Sequence, residues 1–404
     1  LTVPKSPRKS KPLHIGIDAR LAYKRGVGTY TANLILALAR VDKTNRYSLF
    51  NAPRVLLNKI KSPRFRGMEV PVSNPAYYEQ FLLPKVAREN GMDFLHYTDN
   101  SGTTLTDFPY VLTLHDTFHL RPLGDVRPRA GLWYRLVYAY KRWANPRSAE
   151  KARAIVTVSE FSKKCIVEEM SIAPERITVT LEGVDRALFP RVVRKSKGLF
   201  KILVHGAADE RKNIPNILKT AKLLVERGLK FQMVILGMDQ KELKSTHYLE
   251  EAINLGIGDR LEWAGNVPMD LLAGVYGESD LFLFPSKLEG FGLPVLEAFA
   301  CGLPVVTSNS SALPEVAGNA ALLVDPEDPK AMARAVERVM KSSALRRSLI
   351  QKGLKRAGAF SWDRTARETL KVYEKVGKTL KVKNLNISPP RHQGTKRGKR
   401  TTES

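Results

Sequence analysis

Glu289 and Glu297 stand on either side of Gly290-Phe291-Gly292 and Pro294 in the stretch 286–326, SKLEGFGLPVLEAFACGLPVVTSNSSALPEVAGNAALLVDP. Ionised carboxylates accept hydrogen bonds from sugar hydroxyls, and backbone N–H groups at a helix start hold anionic phosphate. The apolar run 281–284 reads as a strand, Pro294 suits a first helical turn, and Cys301-Gly302-Leu303-Pro304 reads as a stop. The expectation is Glu289 in the loop, Glu297 in the first turn of the helix and free N–H groups between them. That is the chemistry of a nucleotide-sugar site. Singly, Glu297 also reads as a charge complementing a helix dipole, and the glycines as a tight turn.

Other residues follow strands in the same way. In Gly206-Ala207-Ala208-Asp209-Glu210-Arg211-Lys212-Asn213, two cations sit together at a helix N-terminus. That end is already positive, so they make sense if an anion such as a diphosphate joins them; a solvated surface pair is the plainer reading. His115 closes an apolar strand in Thr113-Leu114-His115-Asp116-Thr117-Phe118-His119, a position for an active-site histidine, whereas His119 reads as structural. Gly26-Val27-Gly28 lacks the third glycine of a dinucleotide fingerprint and reads as a turn before a helix. No Asp-x-Asp, P-loop, His-Glu-x-x-His or Cys-x-x-Cys occurs. No metal ligands are assigned and no cofactor is expected beyond a donor substrate, so diphosphate charge falls to Arg, Lys and helix N-termini.

The stretch 286–326 resembles the E-x7-E signature of the family-4 retaining glycosyltransferases, and Gly302-Leu303-Pro304-Val305-Val306 and Leu313-Pro314-Glu315-Val316 match as well. Looser similarity extends over 13–376. The resemblance implies a GT-B arrangement of two Rossmann-like, doubly wound α/β domains facing across a cleft, with the last helix returning to the amino-terminal domain. It implies hexosyl transfer from a nucleoside-diphosphate sugar to a hydroxyl acceptor, lipid-linked or a growing polysaccharide, with no protein nucleophile. By the same resemblance Glu289 holds donor hydroxyls and Glu297 the ribose. The N–H groups of Phe291, Gly292 and Leu293, with Arg211 and Lys212, stabilise the diphosphate. His115 orients the reacting sugar and steadies developing positive charge, and Gly28 lies near the donor phosphate and acceptor. Ala207 stands where part of the family has Arg. Val158-Ser159-Glu160-Phe161-Ser162 and Glu182-Gly183-Val184-Asp185 also match, but Glu182 replaces the usual Asn and is given no role.

Short apolar runs alternating with helical periodicities predict parallel sheets in both halves. Strands are expected at 13–17, 47–50, 94–97, 110–114, 154–158 and 177–180, then at 200–205, 231–236, 261–264, 281–284, 305–307 and 321–324. The expected division is a basic arm at 1–12, an acceptor domain at 13–190, a linker at 191–199, a nucleotide-sugar domain at 200–361, a crossover helix at 362–378 and a basic tail at 379–404. A chain of 404 residues with 43% hydrophobic content suits two such domains.

The net charge of +26 points to polyanions. Within the fold it collects at Arg54, Lys59, Lys61, Arg64 and Arg66, and at 121–153, where it is mixed with Trp133, Tyr134, Tyr138, Tyr140 and Trp143. An anionic membrane surface is the expected partner. No apolar run reaches the ~18–20 residues of a membrane span, and the first residues are too basic for a signal peptide. With only Cys165 and Cys301, the expected setting is the reducing cytoplasm, on the inner face of the membrane. Two other classes stay open at this point: another GT-B-like sugar enzyme, an epimerase or phosphorylase, and a nucleic-acid-binding protein, although no such module is visible.

Overall fold

Apolar runs bounded by turn residues become strands buried on both faces, as parallel sheets require. Phe94–Tyr97, Tyr110–Leu114, Ala154–Thr157 and Leu281–Phe284 are buried along their whole length. The computed structural model describes residues 11–385 except 25, 73, 127–130 and 193–197. Most of the expected basic arm, the middle of the expected linker and most of the basic tail lie outside the described residues.

The first sheet contains β1 (His14–Asp18), β2 (Arg46–Phe50), β3 (Phe65–Met68), β4 (Phe94–Tyr97), β5 (Tyr110–Leu114), β6 (Ala154–Thr157) and β7 (Ile177–Val179). Its order is β3-β2-β1-β4-β5-β6-β7, with every pair parallel. The second contains β8 (Phe200–His205), β9 (Phe231–Leu236), β10 (Leu261–Gly265), β11 (Leu281–Phe284), β12 (Val305–Ser308) and β13 (Leu322–Val324). Its order is β10-β9-β8-β11-β12-β13, again all parallel. The order reverses between β1 and β4 and between β8 and β11. Ligands of open α/β sheets bind past the carboxyl ends of strands at such switch points. The loops after these four strands are therefore the ones placed to do chemistry.

Helices used below are α1 (Val27–Val41), α2 (Arg54–Lys59), α3 (Leu132–Lys151), α4 (Glu160–Met170), α5 (Ile214–Glu226), α6 (Leu293–Ala300), α7 (Leu313–Ala317) and α8 (Trp362–Leu385). α1 buries Leu34, Ile35 and Leu38 at helical spacing against the first sheet. α8 leaves the second domain and packs on the first: Ala366, Val372, Tyr373 and Val376 are buried, and Arg40 pairs with Asp363 at 2.6 Å. The Tyr373 hydroxyl lies 2.6 Å from His96 Nδ1 on β4. The returning helix thus follows the expectation and runs past its expected end.

Several elements differ from the sequence reading. The acid-free stretch after Asn51 forms α2 and the edge strand β3, whose only buried residue is Phe65. The helix-patterned segment 77–89 contains a π-helical turn, Tyr78–Leu82, ahead of Leu83–Glu89. Gln240–Lys244, Tyr248–Asn254 and Ser343–Ala357 are further helices whose charge masks their apolar spacing. The aromatics of α3 do not form one surface. Tyr138 is buried, its hydroxyl bonded to the carbonyls of Phe118 and Arg121 at 3.0 and 2.9 Å, whereas Trp133 and Trp143 are exposed.

Candidate active site

The loop from β11 into α6 turns on Gly292, at φ +120, a region that L side chains rarely adopt; a Cβ there would also meet the Leu313 side chain at 2.7 Å. Pro294 occupies the first turn of α6. Among the described residues, the N–H groups of Phe291, Gly292 and Leu293 donate to no protein acceptor. They are the orphan donors of a helix start and form a cradle for an anion. The Phe291 ring is buried against Phe360.

The loop after β8 is stitched to this one. Asn213, in left-handed conformation at φ 62, donates its side-chain N–H to the carbonyls of Pro285 and Pro326 at 3.0 and 2.7 Å. The Arg211 carbonyl accepts from Lys287 N–H at 2.8 Å and from Ser286 Oγ at 2.9 Å. This brings Lys212 Nζ to 2.5 Å from Glu289 Oε1, which also accepts from Ser286 Oγ at 2.6 Å. Lys212 and Glu289 thus meet as an ion pair between neighbouring loops. Arg211 is paired within its own loop: its guanidinium is held by Asp209, with Nη2 at 2.7 Å from Oδ2, and lies 3.8 Å over the Phe118 ring.

Glu297 lies in the second turn of α6, not the first, because the helix begins at Leu293 and not at the proline. It is only 6% exposed and accepts from Tyr276 Oη at 2.9 Å. Burial pushes its carboxyl up to about 7; the Tyr276 hydrogen bond opposes this and the Glu182 charge adds to it.

His115, at the end of β5, is 7% exposed. Its Nε2 lies 3.0 Å from the Thr98 carbonyl, which can only accept, and its Nδ1 lies 3.6 Å from Glu182 Oε1. Burial would lower the imidazole pKa, but the hydrogen bond and charge of Glu182 outweigh it and the net shift is upward. Both nitrogens face acceptors, and Glu182, given no role from its sequence position, is the partner of His115 in the fold. Gly28 sits against its own loop: a Cβ would be 2.0 Å from the Leu21 carbonyl oxygen, with Lys24 next nearest. It holds the turn that starts α1, whose Tyr30 packs edge-on to His115 at 4.7 Å. His119 packs against Phe118 and Tyr138.

The profile described as Glycosyltransferase Family 4 matches residues 24–188, and that described as Glycosyl transferases group 1 matches 185–356. The MMP alpha-(1->4)-mannosyltransferase of Mycolicibacterium hassiacum is 31% identical over 305 residues, 71% of this chain and 72% of that protein. The chain belongs to glycosyltransferase family 4. The O-antigen chain mannosyltransferase B of Escherichia coli is 32% identical over 240 residues, 56% of this chain and 62% of that protein. The fold of this family-4 chain is shared with the sucrose-phosphate synthase of Thermosynechococcus elongatus (TM-score 0.70, 19% identity, 92% of this chain and 100% of that one). It is also shared with a glycosyltransferase from Rickettsia africae (TM-score 0.67, 16% identity, 91% and 99%).

The candidate site includes side chains that no local motif announces. Ser286, Asp209, Tyr276 and Glu182 reach their partners only through the fold. At the carboxyl ends of β1 and β4, Asp18, Arg20, Glu79, Asp99 and Lys141 form a largely buried charge cluster, with Arg20 paired to Asp18 and Glu79 and Lys141 3.5 Å from Asp99. Burial, opposed by Arg20, pushes Glu79 up to about 7. Among the described residues no group of three or more His, Cys, Asp and Glu is arranged to hold a metal.

Glu297 makes nucleotide affinity pH-dependent if it holds a ribose. Hydroxyls donate best to the ionised carboxylate, and a group near pH 7 is mostly protonated at about pH 6 and mostly ionised at about pH 8. Affinity for a nucleoside diphosphate is expected to rise about tenfold across that interval and then level off. Titration calorimetry of the native chain should show this rise, and Glu297→Gln should flatten it. A flat profile in the native chain would remove the ribose role.

Proposed function

We propose that this family-4 glycosyltransferase moves a hexosyl group, with retained anomeric configuration, from a nucleoside-diphosphate hexose to a hydroxyl of a lipid-linked or growing-polysaccharide acceptor. The observation that carries the reading is the Lys212–Glu289–Ser286 contact beside the unpartnered N–H groups of 291–293. A nucleotide sugar can exchange both halves of that ion pair at once. Its diphosphate replaces Glu289 as the partner of Lys212, and its sugar hydroxyls replace Lys212 as the partners of Glu289. A nucleotide alone replaces only one half. The two relatives described above are named mannosyltransferases, so a mannosyl donor is the first to test.

As the bond from the anomeric carbon to the leaving phosphate breaks, Lys212 and the N–H groups take up charge on the diphosphate. The acceptor oxygen bonds to that carbon on the same face, and its proton passes to a leaving-phosphate oxygen. No side chain then has to act as nucleophile. His115 orients the sugar and steadies the positive charge that develops on it, and Glu182 holds the imidazole in place. Lys212 and backbone donors can carry the diphosphate charge, so transfer is expected to persist in EDTA. Activity that disappears on chelation and returns with Mn²⁺ or Mg²⁺ would contradict this.

The lipid-linked acceptor draws support from α3. Leu132, Trp133, Leu136 and Trp143 share one face and are exposed, Leu132 and Trp133 to 75% each. Arg147 stacks on Trp143 at 4.9 Å, and exposed Tyr77 and Phe81 flank Gln80, which bonds the Tyr140 hydroxyl at 3.0 Å. Aromatic and basic side chains together favour the membrane interface, and each cation near an anionic surface adds ~1 kcal/mol. Among the described residues no helix is long and apolar enough to cross a membrane. Co-sedimentation with liposomes should increase with anionic lipid, fall with salt and survive deletion of 386–404. Binding lost with that deletion would place the anchor in the tail instead.

A further inference from the structure

Two conspicuous motifs take no part in this chemistry, 158–162 in the first domain and 313–316 in the second. In the fold they grip one another. Ser159 is the N-cap of α4, and its Oγ accepts from Ser162 N–H at 3.0 Å. The remaining first-turn donors find their acceptor in the other domain: Glu160 N–H lies 3.0 Å and Phe161 N–H 3.4 Å from Glu315 Oε2 of α7. A carboxylate on the N–H groups of a helix start is favoured by both charge and dipole. The same turn also reaches the donor loop. Ser159 Oγ donates to the Gly290 carbonyl at 2.6 Å, and Ser162 Oγ lies 2.8 Å from the His115 carbonyl and 3.0 Å from that of Gly290. Gly290, next to Glu289, approaches so closely that a Cβ would lie 2.2 Å from the His115 carbonyl oxygen.

We infer that Ser159, Ser162 and Glu315 are positioning residues that clasp the two domains and hold His115 in register with the donor loop carrying Glu289. None of them touches the reacting atoms in this arrangement. The clasp joins the carbonyl of the proposed sugar-orienting residue to the carbonyl beside the proposed sugar-binding one, so losing it lets both drift. The contacts are polar, and those of Glu315 lie at the solvent edge, where water can replace each partner when the domains part. The inference rests on the proposed transfer function, but closure is measurable without it.

Glu315→Ala in the full chain removes the cross-domain acceptor and leaves the Glu315 carbonyl, bonded to Arg356 at 2.5 Å, in place. Three results are expected together: kcat about tenfold lower at saturating donor, nucleoside-diphosphate affinity within about twofold of the native chain because that site lies in one domain, and a larger radius of gyration by small-angle scattering. Glu315→Gln, which keeps a carbonyl oxygen for one N–H, should recover part of both kcat and compaction. Ser159→Ala, with a small local change, serves if Glu315→Ala does not fold. Unchanged kcat, or lower kcat with an unchanged radius of gyration, would overturn the inference. A native chain that transfers from no nucleotide hexose would defeat the proposed function instead, and the radius of gyration would still decide the clasp.

Discussion

Replacing Glu289 by Gln is expected to leave the fold intact and lower transfer roughly 100-fold, the loss that follows removal of one electrostatic contact of about 3 kcal/mol at a reacting centre. The amide is nearly isosteric and can still accept from Ser286, so packing around the loop changes little. What goes is the charge that, in the proposed function, receives the donor hydroxyls. The same substitution frees Lys212 from an ion pair now closed at 2.5 Å. A nucleoside diphosphate without sugar should therefore bind at least as tightly as it does to the native chain, while the nucleotide sugar loses its advantage. Turnover and calorimetry on one variant thus read the two halves of the exchange separately. More than half of native turnover would remove Glu289 from the sugar-binding role, and weaker nucleotide binding would show that the ion pair does not compete with diphosphate.

Gly290→Ala should be at least as damaging to turnover, through geometry and not charge. The added methyl would stand 2.2 Å from the His115 carbonyl oxygen and 3.4 Å from Asp116 Cβ, and a backbone atom cannot swing aside. Either the donor loop or the whole second domain has to move back. A displacement of about 1 Å at a reacting centre costs on the order of 100-fold in rate. The nearest atoms belong to His115 and Asp116 and none to an apolar core side chain, so the variant is expected to melt within a few degrees of the native chain. Turnover within threefold of native would mean that the two domains do not work in the contact seen here.

How much of this was legible beforehand depended on how local its causes are. The donor loop could be read because strand, glycine turn, proline and helix follow one another in the chain, and each leaves its own residue type. Arg211 and Lys212 look alike in sequence, and only the fold separates their partners: Asp209 two residues earlier in the same loop, and Glu289 on the neighbouring one. Glu297 falls one residue further into the helix than expected because Pro294, tolerated anywhere in a first turn, does not fix which residue begins it. Glu182 and Tyr276 were not legible as partners of His115 and Glu297. They come from separate segments, joined only when β5 meets the end of the first domain and the helix Met269–Gly277 packs beside α6. The returning helix was visible from its period, but its attachment through His96 and Tyr373 depends on two buried polar groups 277 residues apart.

The basic surface divides in the same way. Arg54, Lys59, Lys61, Arg64 and Arg66 are all exposed, as an acid-free run suggests. The aromatics of α3 had to be sorted by the fold, because a helix with apolar residues on several faces does not announce which one is buried. Tyr138 found two backbone acceptors and turned inward; Trp133 and Trp143 did not.

The proposed front-face transfer is tested most directly by the anomeric configuration of the first product. The full chain, in EDTA, would be given an α-linked nucleoside-diphosphate hexose and an acceptor with a single free hydroxyl, and the reaction followed by proton NMR from its first turnovers. An α-linked product, with nucleoside diphosphate released in equal amount and only when acceptor is present, is the predicted result. A β-linked product, or conversion of the donor without an acceptor, would contradict it.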